Sequence, residues 1–217
     1  PARRNFGLDV LRCLAIVIVL CNHAFIGLFV DTAGLAHWAG RARLASVGAF
    51  ISIEWLFVLS GFLIGTMMIR TFDVAGTFWQ RTRSFWLRRW FRTVPNYAFF
   101  LAVNAAIAAW DLHGPLPMGD FQWRYALFSQ NLAWTEDVPL FFPEAWSLAL
   151  DEWFYLLLPL LVGLAFLARA SPKGAFLAAT GALVLVPLAL RFTFDGQDPL
   201  VWDLNVRRVT IMHLDAT

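Results

Sequence analysis

The sequence predicts an all-α fold, a polytopic transmembrane helix bundle, on three observations. Only 15% of the 217 residues are charged, where a soluble domain carries roughly a quarter. Hydrophobic residues make up 59% and mean hydropathy is +0.62. These residues gather into runs near the length that crosses a bilayer, roughly 20 residues at about 1.5 Å each for a core of about 30 Å. Surface that faces lipid needs no charge. The 11 Trp and 21 Phe fit the same setting, since Trp collects where its ring meets lipid and its N–H stays wet. A net charge of +2 offers nothing to nucleic acid.

The first run is Leu8–Val30, interrupted by Asp9, Arg12, Asn22 and His23. It is too long for a signal-peptide core and has no clear small-residue cleavage site, so a retained anchor is expected. Cys13 and Cys21 lie eight residues apart on it, too far along a helix for a disulfide, and are expected as buried thiols. The second run, Val47–Ile69, is interrupted by Glu54. In it Gly61 and Gly65, beside Ser60, form a small-xxx-small face suited to close helix contact.

Phe78–Arg92 is basic and aromatic: Arg81, Arg83, Arg88, Arg89 and Arg92 interleave with Phe78, Trp79, Phe85, Trp86, Trp90 and Phe91. It reads as an amphipathic interfacial helix on anionic lipid, or as a cytoplasmic phosphate-binding surface, and the two are compatible. Val94–Trp110 is the third run, with Pro95 at an expected first-turn position. Gly114-Pro115 and Pro117 mark a loop. Phe121–Trp134 is a weaker segment, re-entrant or interfacial, and a span there would invert everything after it. Ala145–Ala168, interrupted by Asp151 and Glu152, and Lys173–Phe194 are the fourth and fifth runs, and a further span is expected to open after Asp203. That makes about five to six spans. The chain opens at Pro1 and stops at Thr217 within an apolar stretch, and residues 1–217 are expected to be the N-terminal part of a single domain.

Arg3 and Arg4, the arginines from Arg70 to Arg92, and Arg169 with Lys173 fall on one side if the N-terminus is cytoplasmic. This is the positive-inside pattern; Arg41 and Arg43 dissent from it.

Ionisable groups inside a span are costly and usually face a cavity or a partner. Arg12 and His23 are eleven residues apart, about three helical turns, so they share a face and stand roughly 16 Å apart along it. Such a face suits an extended substrate with an anion at one end and its reacting group at the other. Alternatively Arg12 pairs with Asp9 and snorkels, and His23 hydrogen-bonds a neighbouring helix. Glu152 follows the external loop by a turn or two; a carboxylate meeting an imidazole across helices raises its basicity.

Four segments, LDVLRCLAIVIVLCNHA, EWLFVLSGFLIG, FWLRRWFRTVPNY and WSLALDEWFYLLLPLL, occur in that order. Together they resemble acyltransferase family 3, a family of multi-spanning membrane O-acyltransferases. The resemblance covers Asn5 to about Pro159, with His213-Leu214-Asp215 similar to a later family segment. Trp55 and Leu56 stand where Leu-Phe is usual, and Asp151 and Trp153 replace a common Glu and Gln.

The resemblance implies about ten spans in a whole member and transfer of an acyl group, acetyl being expected, to a hydroxyl. The acceptor would be a carbohydrate or another envelope or secondary-metabolite compound. It implies acyl-CoA as co-substrate, no bound cofactor, and a bacterial inner-membrane setting. His23, Arg12 and Glu152 match the catalytic positions, and Arg88, Arg89 and Arg92 the basic motif. Glu54, Ser60, Asn22, Ser147 and Tyr155 are expected at the substrate. A hydroxyl needs a base when it attacks a thioester; a free imidazole titrates near 6.5, so a histidine suits that role, and His23 is the expected one. Glu152 would orient it, Arg12 would hold an anionic part of the donor, and Asn22 would support the oxyanion; an acyl-enzyme on His23, Ser60 or Ser147 stays open. No metal is expected, since His37, His113 and His213 lack ligand spacing. The rival readings are a transporter or flippase, with the intramembrane charges as its path, and a non-catalytic membrane scaffold.

Overall fold

The computed structural model describes residues 6–25, 39–71, 77–110, 122–133, 142, 144–193 and 206–216. Arg3, Arg4, the Gly114–Pro117 loop, His37, His113 and the expected start of a span after Asp203 lie outside them. Among the described residues there is no strand. The helices are α1 (Phe6–Phe25), α2 (Ala39–Thr71), α3 (Phe78–Ala109), α4 (Gln122–Ala126), α5 (Ala145–Leu167), α6 (Pro172–Arg191) and α7 (Thr210–His213). Among the described residues, four stretches are long and apolar enough to cross a membrane: Phe6–Ala24, Val47–Arg70, Ala145–Leu167 and Pro172–Arg191. The chain is a polytopic all-α membrane protein.

Two units divide it, Pro1–Gly65 with Ala216–Thr217, and Thr66–Asp215. In the first, α1 meets α2 through small residues: Ala15 is fully buried, and a methyl on Gly48 would lie 3.6 Å from Ile18. Small residues are what permit close approach in lipid, where apolar side chains gain little by leaving the solvent. Most other apolar residues of α1 face outward. Cys13 and Cys21 do so too, as free thiols, rather than being buried as expected, because α1 has so little protein against it. Arg41 and Arg43 belong to the N-terminal turns of α2, a 33-residue helix about 50 Å long that exceeds the hydrocarbon core.

In the second unit, α3 is one 32-residue helix joining the basic segment to the third apolar run. Pro95 therefore sits inside α3 rather than in a first turn. It removes a single backbone bond, and the regular turns on either side carry the helix through. The helix starts with a reciprocal capping box at Thr77 and Gln80, with bonds of 3.3 and 3.2 Å. α3 packs on α5 where a side chain on Gly163 would lie 2.5 Å from the Trp79 ring, and where Phe78 meets Phe166 edge to face.

α5 and α6 form a helical hairpin. Ala175, Ala179 and Leu183 of α6 repeat every four residues and are buried, as are Leu158, Val162 and Gly163 of α5. Ser171 caps α6, with Pro172 in its first turn. α4 is five residues long, far too short to span, and the segment after it is tied to its neighbours. Tyr97 donates to the carbonyl of Tyr125, Trp153 to that of Phe128, Gln130 to that of Ala145, and Asn131 to those of Trp146 and Arg208. Non-helical backbone at membrane depth survives only when protein satisfies it in this way. Over its described part the sequence-weak segment is thus a short helix and a turn held by side chains, not a span.

The turn between α5 and α6 ends in a Schellman arrangement: Ala170 N–H reaches the Ala165 carbonyl at 3.0 Å, with Arg169 at φ 61°. That left-handed conformation strains a residue with a Cβ. Arg169→Gly is expected to raise stability by about 1 kcal/mol, read as a higher melting temperature in detergent; a lower one would mean that the arginine side chain holds the turn.

Candidate active site

A proline shapes the contact between α3 and α5. Pro159 lies inside α5 and has no N–H, so the carbonyl of Tyr155 one turn earlier loses its helical donor. The indole N–H of Trp86 on α3 takes that carbonyl at 2.9 Å. One turn further along α3, Arg89 donates to the Tyr155 hydroxyl, and its guanidinium lies 3.7 Å from the centre of the Tyr155 ring. Thr93, the next residue on this face, donates to the Arg89 carbonyl at 3.2 Å. The inward stripe of α3 is thus Thr82, Phe85, Trp86, Arg89, Thr93 and Tyr97, at helical spacing.

The three arginines of the basic motif therefore part company. Arg89 turns into the protein, whereas Arg88 and Arg92, four apart, lie exposed on another face. Glu152 is 5% exposed, and both carboxyl oxygens are without a hydrogen-bond partner among the described residues. Arg89, Thr93 and Trp90 face it from α3, and Asp151 adjoins it on α5. A buried carboxyl left in this state costs free energy unless something supplies a donor.

Glu152 also forms part of the wall of a cleft of about 550 Å³ between α3, α4 and α5. Trp90, Phe91, Val94, Leu127, Phe128 and Trp153 supply most of the remaining wall. The cleft is apolar apart from that one acid, a combination common in small-ligand sites. Tyr155 lies beside it, bonded to Arg89. Ser147, in the first turn of α5, donates to the Glu144 carbonyl at 3.3 Å and is not in the cleft wall.

In the first unit, His23 stands exposed on α1, its Nδ1 2.8 Å from the Val19 carbonyl. A carbonyl only accepts, so Nδ1 carries the proton of this bond and Nε2 of the neutral ring keeps its lone pair. Arg12 is half-buried on the same helix, in a shallow groove with Phe6, Asp9 and Cys13. Asn22 beside His23 is half-buried, and its Oδ1 has no hydrogen-bond partner among the described residues. Glu54 and Ser60 are half-buried on α2. Among the described residues no group of three or more His, Cys, Asp or Glu is placed to hold a metal ion.

Two polar groups escaped the sequence reading. Gln130, Asn131, Arg207 and Thr210 form a buried polar patch around the turn after α4, with Arg207 over the Trp146 ring at 4.7 Å. Arg191 at the end of α6 pairs with Asp215 and donates to the Met212 carbonyl at 2.8 Å. Only the arginine-to-aspartate pair had a signal, the His213-Leu214-Asp215 segment.

The model of an acyltransferase domain family matches residues 5–214. Among curated proteins, a putative O-acetyltransferase of Staphylococcus aureus is 25% identical over 167 residues, 72% of this chain and 24% of that protein. The peptidoglycan O-acetyltransferase OatA of Listeria monocytogenes is 26% identical over 168 residues, 70% of this chain and 23% of its own length. The O-acetyltransferase OatA of Staphylococcus aureus is 28% identical over 181 residues, 72% of this chain and 24% of that one. The chain spans about a quarter of the length of these relatives. No solved structure matches it.

The proline-to-tryptophan relation can be tested by a double-mutant cycle. Trp86→Phe is expected to cost about 1–3 kcal/mol by orphaning the Tyr155 carbonyl. Pro159→Ala in that background restores an N–H and should recover most of the loss, measured by thermal unfolding in detergent. No recovery would show that the indole serves packing alone.

Proposed function

Because the chain belongs to the acyltransferase domain family, we propose that it moves an acetyl group from acetyl-CoA to a hydroxyl of an envelope carbohydrate. The relatives' names support acetyl as the group transferred, and that of the Listeria relative supports a glycan-bearing acceptor. The basic segments lie on the cytoplasmic side of the plasma membrane in this reading, where the donor is made.

His23 is the base. The observation that carries this role is its Nδ1–H bond to Val19, which leaves Nε2 as the proton acceptor. Nε2 removes the proton of the acceptor hydroxyl as the oxygen attacks the thioester carbonyl. The tetrahedral intermediate then expels the CoA thiolate, which takes up a proton. Arg12 holds an anionic part of the donor, and the exposed Arg88 and Arg92 assist at its phosphates.

His23→Ala in the whole protein is expected to lower acetyl transfer by about 10²–10⁴-fold, read as radiolabel from acetyl-CoA entering envelope carbohydrate in membranes. Arg12→Ala should instead raise the donor KM. Full transfer by His23→Ala would remove the histidine from the chemistry. Substrate movement across the membrane with no acyl-CoA consumed would overturn the enzyme reading.

A further inference from the structure

The cleft between α3, α4 and α5 has two properties that together select a ligand. The first is Glu152, 5% exposed and set in the wall: Thr93 and Trp90 stand nearest to it as donors, but the Thr93 hydroxyl is given to the Arg89 carbonyl, and neither carboxyl oxygen has a hydrogen bond of good geometry among the described residues. A carboxyl keeps acceptor capacity in either protonation state, so what it lacks is a donor. An acyl chain and a thioester carbonyl have none to offer. An ammonium would bring a second positive charge towards Arg89, which already faces Glu152. A neutral hydroxyl meets neither objection.

The second property is where the cleft opens. Phe91 is 78% and Leu127 62% exposed, and Leu87, Trp90 and Val94 are exposed beside them. These apolar residues make the rim of the cleft as apolar as its wall. About 550 Å³ falls within the roughly 300–1,000 Å³ of small-ligand sites.

We propose that this cleft is the acceptor's entry site, and that the acceptor is an amphiphile: a hydroxyl that donates to Glu152, carried on a hydrocarbon portion that slides in from the bilayer. The name acceptor rests on the acyl-transfer reading above; the binding does not.

The test uses the whole protein in lipid nanodiscs, without acyl-CoA. The probe is hexadecanol carrying a mid-chain diazirine, crosslinked by light and mapped by mass spectrometry. Labels are expected on 87–95, 126–128 and 152–156, the segments lining the cleft. Unlabelled hexadecanol should compete about tenfold better than hexadecyl methyl ether, which has no donor. Glu152→Leu replaces the acid by an apolar group of similar size, which such a site tolerates. It should keep the label and lose the preference for the alcohol. Leu127→Trp, at the exposed rim, should exclude the probe.

Equal competition by alcohol and ether, or labels spread evenly over the lipid-facing helices, would overturn the proposal and reduce the cleft to ordinary lipid contact. Carbohydrate acetylation intact beside such a result would leave the acyl-transfer reading standing. Selective alcohol binding with no transfer from any acyl-CoA would do the reverse.

Discussion

The second unit depends on a carbonyl that its own helix cannot satisfy. Pro159 strips the Tyr155 carbonyl of a donor in the middle of a span, where no water can replace it. The indole of Trp86 fills the gap, and this fixes the rotation of α3 as well as its distance from α5. With Trp86 aimed at α5, the residues three and seven positions further on, Arg89 and Thr93, must point the same way. Arg89 then lies against Tyr155, and Glu152, three residues before Tyr155 on α5, faces the same stripe. One missing N–H thus aligns a cation, a phenol and a carboxyl.

A guanidinium placed there would be costly without company. Its positive charge is offset by the aromatic face and hydroxyl of Tyr155 and by the negative charges of α5. Arg88 and Arg92 need no such arrangement, since they stay exposed and can meet water or headgroup phosphate. One helix therefore carries an inward arginine and, on another face, two exposed ones. They are separated by roughly a quarter turn.

The apolar runs of the sequence fall on long helices at Phe6–Ala24, Val47–Arg70, Ala145–Leu167 and Pro172–Arg191, because the bilayer acts on average composition over many residues. Glu152 was legible, beside Asp151, as an acid inside such a run. What escaped has a shared cause: it rests on tertiary partners that local periodicity does not encode. The basic motif names Arg88, Arg89 and Arg92 together, and only the register set by Trp86 and Pro159 separates them. Pro95 looked like a helix start because a proline is easiest to place there, yet a long helix absorbs it. The turn after α4 read as weak because its order comes from side chains bonding distant carbonyls, Asn131 to Arg208 among them.

Two places in the second unit keep buried acceptors without donors, and they differ in kind. In the turn after α4 the amide oxygens of Gln130 and Asn131 have no donor among the described residues, but their amide nitrogens bond the carbonyls of Ala145, Trp146 and Arg208. Those side chains hold the turn together, and the leftover oxygens are a by-product. Glu152 does not serve the fold in this way, since neither of its oxygens bonds any described group and the side chain stands in the wall of a cleft. Its charge balances that of Arg89, yet that pairing leaves both carboxyl oxygens without a donor among the described residues. Local rules tend to be broken where a ligand completes them, and Glu152 is where this fold breaks one.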